Sequence, residues 1–288
     1  MKYALFSGCT IPLRVPNYEL ATRKVMDKLG IELVDIEDAG CCGIYHELIN
    51  ELTHLTMAGR ILAKAEDMGL DIMVMCNGCN ESLIKANKKL KEDSELRDKV
   101  NEILSDFDLQ FKGKVDVKHY VRLLYEDYGV DKVKKKVKIP LNTLKVAAFY
   151  GCHILKPTKI IEFEDFEDPE SLDKLIEATG AKSIDYYDKK MCCGGYVLAY
   201  DKDAAYDISG QKLQNIKDAG ADVIVTICPF CNIMLESNQR AIGSHLEREF
   251  KLPVMHYPQL LGIAMGFSYR DMVMEQNRVR IDPKLFEE

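Results

Sequence analysis

Ten cysteines dominate the chemistry available to this chain, and they fall in two matching sets. Cys9, Cys41, Cys42, Cys76 and Cys79 form the first; Cys152, Cys192, Cys193, Cys228 and Cys231 form the second. Both read C-x(31 or 39)-CC-x(33 or 34)-C-x2-C. Three ordinary uses of cysteine explain only parts of this pattern. A C-x2-C between a strand and a helix can be a redox dithiol, but that needs neither a vicinal pair nor a fifth thiol. Structural zinc takes four ligands in a closed tetrahedron, one fewer than each set offers, and remains an alternative for one or both halves. Core packing of free thiols does not account for spacing that repeats. An iron–sulfur cluster fits best, because several irons can be held by several thiolates, including two from adjacent residues. Gly43, Gly194 and Gly195 follow the pairs and let the backbone come close to such a body.

The cysteines must be carried by repeated elements. "KYALFSGCTIP" matches "KVAAFYGCHIL", and "KAEDMGLDIMVMCNGCNESL" matches "NIKDAGADVIVTICPFCNIML". "VDVKHYVRLLYEDYG" matches "LPVMHYPQLLGIAMG", pairing His119 with His256. The short apolar runs "YALFSG", "VAAFYG", "DIMVM" and "DVIVTI" read as strands that stop at cysteines, with helical segments between them. "NYELATRKVMDKLG" reads as a helix ending on Gly30. "DPESLDKLIEATG" reads as its partner, with Asp168 as N-cap and Pro169 in the first turn. Alternating strands and helices predict an α/β fold: two pseudo-twofold-related, Rossmann-like units with mainly parallel sheets. Cys9, the CC pair and the C-x2-C then sit past the C-terminal ends of strands, where such sheets bind ligands. The two CC loops are expected to face each other. The expected organisation is a first repeat over 1–130, a lysine-rich linker over 131–144, a second repeat over 145–266 and an unrepeated tail over 267–288.

The remaining composition narrows the function classes. The chain has 288 residues, 47% hydrophobic and 30% charged, which is ordinary for a globular protein. A net charge of −7 argues against general nucleic-acid binding. No apolar run approaches the roughly 18 residues of a membrane helix, and the N-terminus lacks a signal-peptide pattern. A cytoplasmic location is expected, where cysteines serve metals or redox chemistry more than structural disulfides.

Other residues have weaker claims. His153 directly follows Cys152 and is the candidate catalytic group, a proton donor to a leaving thiolate; its plain alternative is a loop cap. His46 lies near the first CC pair. His119 and His256 suit backbone hydrogen bonds at strand ends. Arg14, Lys156 and Lys159 follow the first cysteine of each half and are candidates for anionic substrate groups, or are simply solvated. Tyr45 and Tyr196 suit packing over a site. The lysines from 132 to 138 suit a linker surface.

The duplicated C-x(31–39)-CCG-x(33–34)-C-x2-C pattern resembles the cysteine-rich CCG domain family. Two tandem copies resemble the B subunits of heterodisulfide reductases from methanogenic archaea, over roughly residues 2–266, with all ten family cysteines present. The resemblance implies that each set of five cysteines binds one noncubane [4Fe–4S] cluster as metal ligands. It implies reduction of the coenzyme M–coenzyme B mixed disulfide to two thiols in methanogenesis. It further implies electrons from the iron–sulfur C-type partner of heterodisulfide reductase, itself attached to the flavin-bearing A-type partner and fed by a hydrogenase or formate dehydrogenase in an electron-bifurcating complex. The tail from Phe267 is expected to help dock the donor. CCG proteins also serve as electron-transfer subunits of other dehydrogenase and reductase complexes, although no C-x2-C-x2-C run occurs here.

Overall fold

The computed structural model describes residues 1–286. Eight strands form two four-stranded sheets in which every pairing is parallel. Strands β1 (Lys2–Phe6), β2 (Glu32–Asp35), β3 (Ile72–Val74) and β4 (Val117–His119) are ordered β2-β1-β3-β4. Strands β5 (Lys145–Phe149), β6 (Lys182–Ile184), β7 (Val223–Thr226) and β8 (Val254–His256) repeat that order as β6-β5-β7-β8. The register repeats as well: Ala4 lies opposite Val34 and Ile72, and Ala147 opposite Ile184 and Ile224. Parallel neighbours need long crossovers, and helices supply them.

Local chemistry sets the helix ends. The helix Pro16–Leu29 starts on a proline and stops at Gly30, whose left-handed backbone closes the last turn. The helices Glu51–Met68 and Lys202–Asp218 begin at Asn50 and Asp201, whose side chains accept the backbone N–H of Thr53 and Ala204. The partner of Pro16–Leu29 is shorter than its sequence suggests, covering Ser171–Glu177 rather than starting at Asp168. Glu164 is responsible: its carboxylate accepts the N–H groups of Glu170 and Ser171, taking the role expected of Asp168.

The sheets share one central core. Leu5 and Met73 from the first sheet and Val146 and Val225 from the second all join it, with Tyr18, Tyr120 and Tyr257 buried alongside. A separate apolar layer covers the outer face of each sheet. The lysine-rich connection is only partly solvated. Residues Val130–Lys134 are helical, Val133, Leu141 and Leu144 are buried, and the N–H groups of Lys138 and Ile139 donate to the Ala264 carbonyl.

The tail does not extend freely either. Met272, Met274 and Ile281 enter the central core, and Met272 packs directly on Gly262, where a Cβ would overlap it. Asn277 donates to the Val254 carbonyl (2.7 Å), and the Arg278 N–H donates to the Glu236 carboxylate (2.9 Å). Among the described residues no helix is long and apolar enough to cross a membrane.

Candidate metal centre

The C-terminal ends of the strands put every cysteine on one side of each sheet. Past β1, Gly8 turns through a left-handed conformation into Cys9; past β5, Gly151 does the same before Cys152. These glycines are required by contact as well as by backbone. A Cβ on Gly8 would lie 3.0 Å from the Cys79 sulfur, and one on Gly151 would lie 3.1 Å from the Cys231 sulfur. In both halves the first strand therefore packs its glycine against the last cysteine of the C-x2-C. Cys76 and Cys228 stand at the N-caps of the helices that follow β3 and β7.

The CC loops lie behind β2 and β6. Gly43 and Gly194, both left-handed, turn the chain so that their own N–H groups point back at the Cys41 and Cys192 sulfurs, each at 3.4 Å. Gly195 donates likewise to Cys193 (3.4 Å). The second carbonyl of each pair is pinned by a serine from a neighbouring helix: Ser82 donates to Cys42 (2.9 Å) and Ser209 to Cys193 (2.7 Å).

All ten cysteines line a single cavity between the two halves. Thr10, Ile44, Tyr45, Asn77, His153, Tyr196 and Phe230 complete its wall. The aromatic rings approach one another across the boundary between the halves: Tyr45 to Tyr196 at 5.6 Å and Tyr45 to Phe230 at 6.3 Å between centroids. Asn77, one residue past Cys76, donates to the Tyr150 carbonyl of the other half (2.6 Å). The Tyr18 hydroxyl faces the carbonyls of Met75 (2.8 Å) and Ile227 (3.0 Å), the residues just before Cys76 and Cys228. One side chain thus spans both strand ends.

The thiols perturb one another strongly. Cys42, Cys192 and Cys228 are pulled well down, chiefly by hydrogen bonds from the neighbouring thiols Cys41, Cys152 and Cys231. Cys9, Cys79, Cys152 and Cys231 are pushed well up, chiefly by the same kind of contact with Cys41, Cys42, Cys192 and Cys193, with burial adding to it. Neighbours share protons because ten adjacent thiolates repel. Positive metal charge removes that conflict, since a coordinating thiol is deprotonated outright. The donor set thus fits a metal-bearing group. The thiols ring a cavity rather than meet at a point: among the described residues no three potential ligands close in on a single ion. Such a ring suits a body containing several metal atoms, and five soft sulfur donors per half suit iron–sulfur chemistry.

His153 sits at the cavity wall with its Nδ1 3.3 Å from the Glu81 carboxylate of the first half. Burial pulls its imidazole down, but the hydrogen bond and charge of Glu81, helped by nearby thiols, outweigh this, and the net shift is upward. The other sequence candidates are placed elsewhere. His119 and His256 are buried and held neutral, shifted by desolvation to about 4 and about 3. The Nδ1 of His119 accepts the Val121 N–H, and the His256 ring stacks on Tyr18 at 3.8 Å. Lys156 lies over the Phe166 ring, and His46, Arg14 and Lys159 are exposed. Tyr45 and Tyr196 do pack over the site.

Sequence reasoning missed Glu81, Asn77, Tyr18, Phe230 and a buried lysine, Lys212. Comparing the repeats position by position would have flagged some of them: Glu81 stands where the second half has Ile233, Phe230 where the first has Gly78, and Lys212 where the first has Ile61. Tyr18 carries no such signal.

A family model described as "Cysteine-rich domain" matches residues 3–84 and 146–236. The chain is 40% identical over 284 residues to the B subunit of a ferredoxin/F420H2-dependent CoB–CoM heterodisulfide reductase from Methanosarcina acetivorans, covering 97% of this chain and 94% of that one. It is equally 40% identical, with the same coverage, to the B subunit of a ferredoxin:CoB–CoM heterodisulfide reductase from Methanosarcina mazei. A crystal structure of a hypothetical protein from Helicobacter pylori shares the fold, with a TM-score of 0.80 at 16% identity, over 98% of this chain and 52% of that one.

Proposed function

Because this chain belongs to the cysteine-rich CCG domain family, in tandem form, we propose that it is the disulfide-reducing component of a heterodisulfide reductase complex. The observation that carries this reading is the single cavity lined by five cysteines from each half. The substrate would be the coenzyme M–coenzyme B disulfide, taken with two electrons and two protons to two thiols. Cys9, Cys41, Cys42, Cys76 and Cys79 would hold one noncubane [4Fe–4S] cluster, and Cys152, Cys192, Cys193, Cys228 and Cys231 the other. When bound, the two clusters would supply the two electrons singly.

The chain's own residues would do the rest. Tyr45, Tyr196 and Phe230 wall the cavity and keep water from the sulfur atoms. His153, held by Glu81, stands ready to give a proton to a departing thiolate. Thr10 occupies the matching place in the first half and has no comparable acid, so assisted protonation favours one product sulfur. Electrons would come from the iron–sulfur C-type partner and the flavin-bearing A-type partner, supplied by a hydrogenase or formate dehydrogenase.

The test is anaerobic. Purified protein should carry about eight irons, four per cluster. It should reduce the mixed disulfide with reduced methyl viologen. Cys42→Ser and Cys193→Ser each put a harder oxygen in place of a soft thiolate. Each should lose iron in its own half and abolish turnover, because both halves are needed. Full turnover in a variant that has lost half its iron would refute the paired mechanism. Stoichiometric zinc without iron would refute the reading altogether.

A further inference from the structure

The repeat supplies an internal control for the surface around the cavity. Leu13, Leu48 and Ile49 are 79%, 92% and 80% exposed, among the most exposed large apolar side chains described. Leu13 lies in the short helix Thr10–Arg14 that follows Cys9, and Leu48 and Ile49 lie on the loop past the first CC pair. The positions equivalent to them in the second half are Lys156, Ala199 and Tyr200. The second half exposes Tyr200 and Met191 on its own rim instead, so branched aliphatic exposure beside the cavity belongs to the first half. Cys9, four residues before Leu13, is also the one exposed cysteine of the ten.

Three observations say what covers it. All ten cysteines are used in lining the cavity, so this chain keeps none for a relay of its own, and electrons must arrive from a donor seated against the cavity. Next, the ionic groups beside the aliphatic trio leave a positive remainder. Glu47 is paired with Lys85 and Glu51 with Lys89, while Arg14 has no ion-pair partner among the described residues. Finally, the second half holds what suits the far end of the path. It carries His153, held by Glu81 from across the cavity, and the fully buried Lys212, whose charge Cys193 and Cys231 favour and whose first-half counterpart is Ile61. A buried cation favours an added electron beside it.

Resting on the function proposed above, we propose that Leu13, Arg14, Leu48 and Ile49 form the docking surface for an electron-donating iron–sulfur protein, apolar at its contact and acidic at its border, so that electrons reach the first half before the second. Apolar anchors with a charged margin are the usual anatomy of such an interface.

The experiment uses the tagged chain co-expressed with its iron–sulfur partner. The first variant combines Leu48→Asp with Ile49→Asp; the control combines Met191→Asp with Tyr200→Asp on the second half's rim. Burying two carboxylates in an apolar contact should weaken co-purification of the partner and partner-driven turnover by at least about tenfold, since tenfold is only 1.4 kcal/mol. Iron content and turnover driven by reduced methyl viologen should stay at the wild-type level, which separates lost docking from lost folding. The control should keep the partner. Loss of the partner in the control alone, in both variants or in neither overturns the assignment. The reading of the substrate fails separately, if wild-type protein with full iron cannot reduce the mixed disulfide with viologen.

Discussion

At the scale of single residues, the decisive positions are those where one atom more would not fit or one charge fewer would be felt. Gly151 has both a left-handed backbone and a neighbour in the way: an added Cβ would lie 2.7 Å from Asn77 Nδ2 and 3.1 Å from the Cys231 sulfur. The backbone term alone costs roughly 1–2 kcal/mol. The larger effect falls on the thiol. On the proposed function, with one cluster held by each half, Gly151→Ala should leave the protein folded but reduce iron per chain by about half; colorimetric iron on anaerobically purified variant is the check, and an unchanged count would contradict it. Lys212 tests charge. Its ammonium donates to the Asp188 carbonyl and lies 3.6 Å from the Asp188 carboxylate, with Phe149 and Tyr186 around it. Desolvation lowers its affinity for the proton, and Asp188 only partly restores it. Lys212→Met should lower the reduction potential of the second-half centre by on the order of 50 mV, leaving the first-half centre in place. A redox titration followed by electron paramagnetic resonance would read the two separately.

At the scale of elements, much of the structure was legible because its signals are local. Apolar runs ending in Gly-Cys became β1 and β5, and those ending in C-x2-C became β3 and β7. The same runs placed the cysteines at the C-terminal strand ends. What stayed hidden depends on partners distant in sequence. Nothing around Glu164 announces that it caps a helix at 170, and nothing in the tail marks Met272 as the residue that fills the space over Gly262. The tail, expected to help dock a donor, is itself fastened to its own chain. Glu236 is one of its fastenings. Burial raises this carboxyl to about 7, despite the N–H groups of Arg278 and Val279 that favour its charged form. Its folded pKa lies above the unfolded value, so the contribution is fully present below pH 4.5 and is lost as pH rises through 7. Wild-type protein should lose roughly 3 kcal/mol of stability between those limits relative to Glu236→Gln. Urea midpoints of both proteins at about pH 5 and about pH 8 test this; parallel pH profiles would dismiss Glu236 as the cause.

At the scale of the whole molecule, the two halves are joined through the central core and not merely by a linker. Leu5, Met73 and Tyr120 of the first half meet Val146, Val225 and Tyr257 of the second in one apolar body. Cutting the chain in the lysine-rich connection would expose that surface on both pieces. Each half expressed alone should aggregate, whereas co-expression of residues 1–134 and 135–288 should give a soluble 1:1 pair; size-exclusion chromatography distinguishes these outcomes. A soluble monomeric half would show that the shared core contributes less than its burial suggests.

A matched pair of separate chains, each carrying one five-cysteine module, would be obliged to repeat every substitution on both sides of its axis. A histidine beside one centre would bring a histidine beside the other, and a lysine beneath one a lysine beneath both. Carrying the two modules on a single polypeptide lifts that obligation. Thr10 can stand where the other half has His153, Ile61 can answer Lys212, and Gly78 can stay small where its counterpart is Phe230. Fusion thereby gives a symmetric scaffold the one property symmetry forbids, a direction.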